Sequence, residues 1–241
     1  MVIVPYKNYY LKIRKMNTFV IPDVHGCSKT LKMLFNKISP SKDDIIYFLG
    51  DYIDKGKDSA GVIDFIIEMQ DNAYQIFALR GNHEQNLLYA YHNYNQKMFK
   101  SFVGKMNKSI NLLDENGNLK EKYLNFVANL PYFIELDDFW LVHAGFNIYV
   151  HNVFDDFNGM LEIRNMEYDE IILKGKTIIH GHQVTYLDKI EELIENKSKI
   201  IALDNGCVYN QPHRKYDYTK LGNLLCLNLN NFELTIQKNI D

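Results

Sequence analysis

Between Thr18 and Leu79 three short apolar runs alternate with two stretches of helical periodicity. Thr18-Phe19-Val20-Ile21, Ile45 to Leu49 and Tyr74 to Leu79 are rich in β-branched and aromatic residues, as buried strands are. Ser28 to Ile38 places Leu31, Leu34, Phe35 and Ile38 on one helical face, with Ser28 as its expected N-cap. Ser59 to Gln70 does the same with Val62, Ile63, Ile66 and Ile67. A β-α-β-α-β order predicts parallel strands joined by helical crossovers, hence an α/β fold. In such a sheet, ligands bind at the carboxyl ends of the strands.

The texture then changes. Residues 85–130 read as a mostly helical cap segment. Beyond Pro131, strands are predicted at Tyr132–Leu136, Trp140–His143, Thr177–Ile179, Lys199–Leu203, Leu224–Leu229 and Glu233–Gln237. The last two flank Asn230-Asn231, expected to form a tight hairpin turn. Asp114-Glu115-Asn116-Gly117-Asn118 is read as a turn. It fails as a calcium loop because Gly falls fourth rather than sixth and Asn125 stands where a closing Glu would be. Residues 1–16 add no core element and read as an N-terminal extension, with Met16 as a candidate start; residues 17–241 read as one domain.

With 241 residues, 46% of them hydrophobic, there is enough apolar surface to exclude a disordered chain. A net charge of −3 marks no general polyanion binder, so no nucleic-acid partner is expected. No apolar run is long enough for a membrane span, so no membrane partner is expected either. Three cysteines, Cys27, Cys207 and Cys226, form no C-x-x-C pair and read as buried free thiols in a reducing compartment. The cytoplasm is the expected location. Nothing in the sequence sets the oligomeric state.

Metal-type residues fall at the strand ends. Asp23 and His25 follow the first strand, Asp51 and Asp54 the second, and Asn82, His83 and Glu84 the third. His143 ends the strand Trp140–His143, and His180 and His182 end the one beginning at Thr177. Each alone has an ordinary reading: a turn residue, a cap, a satisfied strand histidine. Together they make an Asp/His/Asn set without cysteine, which suits manganese, iron or zinc. Five or six such ligands are too many for one open tetrahedral ion. They suit two ions about 3.5–4 Å apart with a bridging carboxylate, able to hold two phosphate oxygens and acidify an attacking water. His92, His151 and His213 have no such context and read as surface or structural. His180 stays open.

In chain order, Asp23-x-His25-Gly26, Gly50-Asp51-x-x-Asp54-Lys55-Gly56, Gly81-Asn82-His83-Glu84, His143-Ala144-Gly145 and Gly181-His182 resemble the motifs of the calcineurin-like metallophosphoesterases. The Gly-Asn-His-Glu form looks like the phosphoprotein phosphatase branch, including small bacterial and phage serine/threonine phosphatases. Ile201 to Cys207 is similar to a segment near the end of the bacterial members. The resemblance implies a four-layer α/β/β/α sandwich around a dinuclear site, with manganese as the expected metal and iron or zinc as alternatives. It implies Asp23 and His25 on the first ion, Asp51 as the bridge, and Asn82, His143 and His182 on the second. His83 would protonate the leaving alkoxide, oriented by Asp54. Arg164 looks like one of the family's two phosphate-binding arginines, and Arg80 is a further candidate. Two departures stand out: Lys55 replaces an arginine, keeping the charge but losing the bidentate fork, and Pro22 stands where glycine is frequent.

The implied function is hydrolysis of phosphate monoesters, by attack of a dimetal-bound hydroxide, as a serine/threonine or dual-specificity protein phosphatase. Its partner would be a phosphoprotein or a phosphorylated small molecule. The alternative is a diadenosine tetraphosphate or other nucleotide polyphosphate hydrolase with the same site. In those enzymes the third motif usually ends in Asp, so Glu84 favours the phosphoprotein branch. A second alternative is a non-catalytic metal-binding module. Substrate choice is expected in residues 85–130 and 146–166. Most of Tyr89, Tyr91, Tyr94, Phe99 and Phe102 read as a helical core stripe rather than a cap lining.

Overall fold

The apolar runs form β1 (Thr18–Ile21), β2 (Ile45–Phe48) and β3 (Gln75–Ala78), paired in parallel and joined by α1 (Ser28–Ile38) and α2 (Ser59–Asp71). The computed structural model describes residues 16–212 and 214–241. The expected extension, apart from Met16, and His213 lie outside the described residues. On the open side of β1, β8 (Asn223–Asn228) pairs antiparallel, followed by β9 (Leu234–Lys238), giving the order β3-β2-β1-β8-β9. A second sheet runs β4 (Phe133–Glu135), β5 (Phe139–Val142), β6 (Thr177–His180) and β7 (Ile200–Ala202), with β5, β6 and β7 parallel.

The two sheets stack through one core. Val20, Leu225 and Leu227 of the first meet Leu141, Ile179 and Ile201 of the second, all fully buried. The alternation of strands sends their neighbours outward. Phe19, Ile21, Ile46 and Phe48 pack under α1 and α2, whose Leu31, Leu34, Val62, Ile63 and Ile66 are buried as their periodicity requires. Trp140, Val142 and Ile178 face a thinner cover: Phe146, Val153, Leu173 and Met160 of the short α6 (Phe157–Glu162). The layers are α/β/β/α, with the fourth built mostly from loop. α7 (Leu187–Glu195) adds Ile190 and Ile194 to the inter-sheet core.

The cap segment is α3 (Asn82–Asn93), α4 (Gln96–Ser101), a π-helical turn Phe102–Met106, a 3-10 turn Ile110–Leu112 and α5 (Glu121–Ala128). Phe99 is buried and Tyr94 and Phe102 pack on the first core, whereas Tyr89 and Tyr91 are exposed. The Asp114 stretch is a turn, with Asp114 Oδ1 accepting from Asn118 N at 2.8 Å. All three thiols are free and buried. Among the described residues, no helix is long and apolar enough to cross a membrane.

Two local expectations are corrected. Ser28 is the first residue of α1 and Cys27 its cap. The Ser28 hydroxyl instead donates to Asp58 Oδ2 at 2.6 Å, the carboxylate that caps α2 through Gly61 N. The β8–β9 connection is wider than a tight turn. Asn228 accepts from Phe232 N and takes Asn230 N on its side chain, which closes a loop over residues 229–233 with Phe232 at φ +60°.

Truncating Leu225, fully buried between the sheets, should cost about 2–5 kcal/mol in urea unfolding of Leu225→Ala. Ile171, 89% exposed, should tolerate Ile171→Ala within about 0.5 kcal/mol. Equal losses would contradict this placement of the core.

Candidate metal centre

Each predicted ligand hangs from the carboxyl end of a strand or from the turn beyond it. The parallel registers of β1, β2 and β3, and of β5 and β6, bring these ends to one edge. There the side chains converge in two groups whose ligand atoms lie within 4.8 Å of one another: His25, Asp51 and His83, and Asp51, His143 and His182. Asp51 belongs to both. Its Oδ2 is 3.4 Å from His25 Nε2 and 3.8 Å from His83 Nε2, and its Oδ1 is 3.5 Å from His143 Nε2. Asp23 Oδ2 is 3.9 Å from His25 Nε2. On the other side, Asn82 Oδ1 is 3.2 Å from His143 Nε2, while the Asn82 amide nitrogen donates to Glu162.

The imidazoles are oriented from behind. His25 Nδ1 lies 2.9 Å from Ile53 O and His143 Nδ1 lies 3.0 Å from Leu49 O. With Nδ1–H donating to carbonyls, the Nε2 lone pairs face the cluster, the arrangement that metal-binding histidines use. His182 Nε2 is buried with no hydrogen-bond partner among the described residues, and its backbone N–H donates to both Asp23 oxygens at 3.0 and 3.1 Å. A buried imidazole lone pair beside carboxylates fits a divalent cation.

The charges tell the same story. Burial, then the charges of Asp204 and Asp51, push Asp23 well above the usual carboxylate range. Burial raises Asp204 to about 6. Burial works against Asp51 too, but His143, His83, His25 and Lys55 hold it far below the usual range. Burial, then His143 and Arg164, lower His182 to about 3, and burial lowers His180 to about 4. His25 and His143 are lowered as well, first by burial. Neutral imidazoles and crowded carboxylates are a donor set that a divalent cation would relieve, so the residues present fit two such ions.

The backbone is strained at these positions. His25, Asp51, Asp54, Lys55 and His182 have φ of +46°, +52°, +70°, +62° and +61°, a region that costs a non-glycine residue about 1–2 kcal/mol. Val24 N and His25 N both donate to Asp51 O, at 3.1 and 2.9 Å, tying the first turn to the second. The buried Glu84 carboxylate ties the second to the third: it accepts from Gly81 N and Asp51 N at 3.0 and 2.9 Å through Oε2, and from Tyr52 N at 2.9 Å through Oε1. Burial and the Asp51 charge push Glu84 up to about 7. Gly181 leaves room that a Cβ would take from the Asp23 carboxylate.

His83, on the first turn of α3, is half-buried, its Nδ1 2.6 Å from Asp54 Oδ2. Burial pulls its pKa down, but Asp51 and the Asp54 hydrogen bond raise it overall. The other Asp54 oxygen accepts from Ser109 Oγ at 2.6 Å, and Asp54 N donates to Ser59 Oγ and Ser109 Oγ at 2.9 and 3.0 Å. Ser109 was not singled out from the sequence. It lies 55 residues beyond Asp54, in no motif, and only the folded cap brings it there. Glu84 ends the third motif and Asp204 lies in the Ile201–Cys207 segment, but no local pattern marks them as a brace and a buried neighbour.

The three basic candidates separate. Lys55 reaches the cluster, with Nζ 2.7 Å from His25 Nε2. Arg164 is exposed beyond α6 and near enough to depress His182. Arg80 does other work, so its place among phosphate ligands gains no support. Its terminal nitrogens donate to Gln85 Oε1, Tyr132 Oη and the Val127 and Ala128 carbonyls at 3.0, 3.1, 3.3 and 2.9 Å, closing the C-terminal end of α5. His180 sits in the wall, with Nδ1 3.0 Å from Gly181 O. His92 and His151 are exposed.

The chain is similar in sequence and in fold to known proteins. The chain is 40% identical over 77 residues to a symmetrical bis(5'-nucleosyl)-tetraphosphatase of Wigglesworthia glossinidia brevipalpis, covering 32% of this chain and 27% of that one. Over 131 residues it is 26% identical to the same kind of protein from Vibrio parahaemolyticus, covering 54% and 45%. The matched parts thus span about a quarter to a half of these curated relatives. A solved structure proposed to be a diadenosine tetraphosphatase superposes with a TM-score of 0.60 at 17% identity, covering 94% of this chain and 95% of that one. A protein serine/threonine phosphatase from Saccharomyces cerevisiae gives 0.56 at 16% identity, covering 96% and 82%. Both show the shared fold. The family model for calcineurin-like phosphoesterases matches residues 16–219, and the chain belongs to that family.

Proposed function

We propose that this chain is a metal-dependent hydrolase of dinucleoside polyphosphates, cleaving diadenosine tetraphosphate at the central anhydride into two nucleoside diphosphates. The observation that carries the hydrolytic part is the convergence of two ligand groups on Asp51 with the His83–Asp54 pair beside them. The choice of substrate is supported by the tetraphosphatase relatives. Glu84 itself faces inward, its carboxylate bracing the turn amides of Gly81, Asp51 and Tyr52.

In this reading Asp23, His25 and the shared Asp51 would hold one divalent ion, and Asp51, Asn82, His143 and His182 the other, with manganese first and iron or zinc as alternatives. Bound there, the ions would polarise the phosphoryl group and acidify the attacking water. Lys55 and Arg164 offer positive charge to phosphate oxygens. His83 donates a proton to the departing oxygen, and Asp54, held by Ser109 and Ser59, fixes the ring for that transfer.

The His83–Asp54 pair is also the observation behind a second reading, a phosphoprotein phosphatase. An alkoxide leaving from a phosphoserine needs protonation more than a nucleoside diphosphate does, and a buried acid pair suits it. A non-catalytic metal-binding module has no use for that pair.

The test is a parallel assay of manganese-reconstituted protein on diadenosine tetraphosphate, a phosphoseryl peptide and a phosphotyrosyl peptide, with a chelated control. We expect metal-dependent formation of nucleoside diphosphate, with kcat/KM at least about tenfold above either peptide. The reverse ranking selects the second reading, and turnover of none refutes both. Ser109→Ala should lower kcat about tenfold on phenyl phosphate and clearly less on p-nitrophenyl phosphate, whose leaving group needs little help, while Ser109→Thr stays near wild type. Equal losses on the two esters would contradict a route through His83.

A further inference from the structure

Beside the metal centre lies a cleft of about 510 Å3, lined by Lys55, Lys57 and Lys108 together with Gly56, Asn210 and Gln211. It is continuous with the centre through one side chain, since Lys55 lines it while placing Nζ 2.7 Å from His25 Nε2. The His25 ring is in turn in edge contact with His83, centroids 4.8 Å apart.

The lysines here differ from several others on the surface. Lys122, Lys174, Lys176, Lys189 and Lys220 each sit in an ion pair. Among the described residues, Lys55, Lys57 and Lys108 have no carboxylate within ion-pair distance. Asp241, which also lines the cleft, has its side chain engaged by Thr30 and by Lys29 N. Lys57 and Lys108 bring two further positive charges to the cleft that Lys55 joins to the centre, and cations gathered on one cleft favour a polyanion. Two of the three lysines stand on a strained backbone. Lys55 and Lys108 stand at φ +62° and +61°, in the left-handed region where glycine or asparagine would be cheaper, and Lys55 N donates to Asn107 O at 3.2 Å, fixing the two segments together.

We propose that this cleft is a polyphosphate subsite: Lys57 and Lys108 hold the phosphate chain of the departing half of the substrate while the scissile phosphorus lies at the metal centre. The assignment rests on the dinucleoside polyphosphate reading and deepens it. A cleft of this volume takes a nucleotide-sized group, and a simple phosphomonoester would leave it empty. Lys57 and Lys108 are specificity-determining residues, since they act on the anionic arm and not on the reacting atoms.

The test uses the full manganese-loaded chain and Lys57→Gln/Lys108→Asn, a double variant that removes both charges and puts at 108 a residue tolerant of its φ. Inorganic tripolyphosphate is titrated by calorimetry, and kinetics are run on diadenosine tetraphosphate and p-nitrophenyl phosphate. The subsite predicts that tripolyphosphate affinity falls about tenfold and KM for diadenosine tetraphosphate rises by a similar factor, with kcat/KM for p-nitrophenyl phosphate within about twofold of wild type. Unchanged tripolyphosphate affinity overturns it. So does an equal loss on both substrates, which would mean a general structural effect. If the wild type does not turn over diadenosine tetraphosphate, the substrate reading fails alone, and the calorimetric difference still decides the subsite.

Discussion

The structure is organised around one carboxylate. Asp51 belongs to both ligand groups, and the turns after β1 and β3 hold it in place. Its carbonyl takes the amides of Val24 and His25, its own amide goes to Glu84, and its Oδ1 accepts from His83 N at 3.1 Å. It sits at φ +52°, a conformation an aspartate adopts at a cost. The three turns after β1, β2 and β3 are thus one hydrogen-bonded unit with Asp51 at its centre. The second sheet adds His143 and His182 from across the core, and His182 N reaches back to Asp23.

Such a centre is expensive for the fold. Strained turns, buried carboxylates and an unpartnered imidazole nitrogen all weigh against folding, and the two stacked sheets offset them. The core is accordingly well filled, with Val20, Leu141, Ile179, Ile201, Leu225 and Leu227 fully buried between the sheets. A divalent cation placed among these groups would convert most of the penalties into ligation. The centre and any ions it holds would therefore form one thermodynamic unit.

Much of this was legible in the chain. Strand ends bearing Asp, His and Asn pointed to the ligand set because a parallel sheet presents its strand ends together, and the helical faces of α1 and α2 were written in their apolar spacing. What escaped depends on contacts between segments distant in sequence. Ser109 reaches Asp54 only because the π-helical turn carries it there, and no local pattern encodes that meeting. Ser28 looks like an N-cap locally, but the Asp58 carboxylate claims its hydroxyl. Arg80 stands next to a motif, yet the α5 carbonyls and Tyr132 take its guanidinium. Glu84 was legible as a motif residue but not as a brace, because the turn amides it holds come from Gly81, Asp51 and Tyr52 on two separate turns.

Two ions sharing Asp51 should both depend on it. Metal analysis by inductively coupled plasma mass spectrometry, on manganese-reconstituted and desalted protein, tests this. Wild type should retain about two ions per chain, and Asp51→Asn, still folded by circular dichroism, should retain fewer than about one, because losing the bridge weakens both positions. A wild type that saturates at one ion, or an Asp51→Asn chain that keeps two, would contradict the sharing of Asp51.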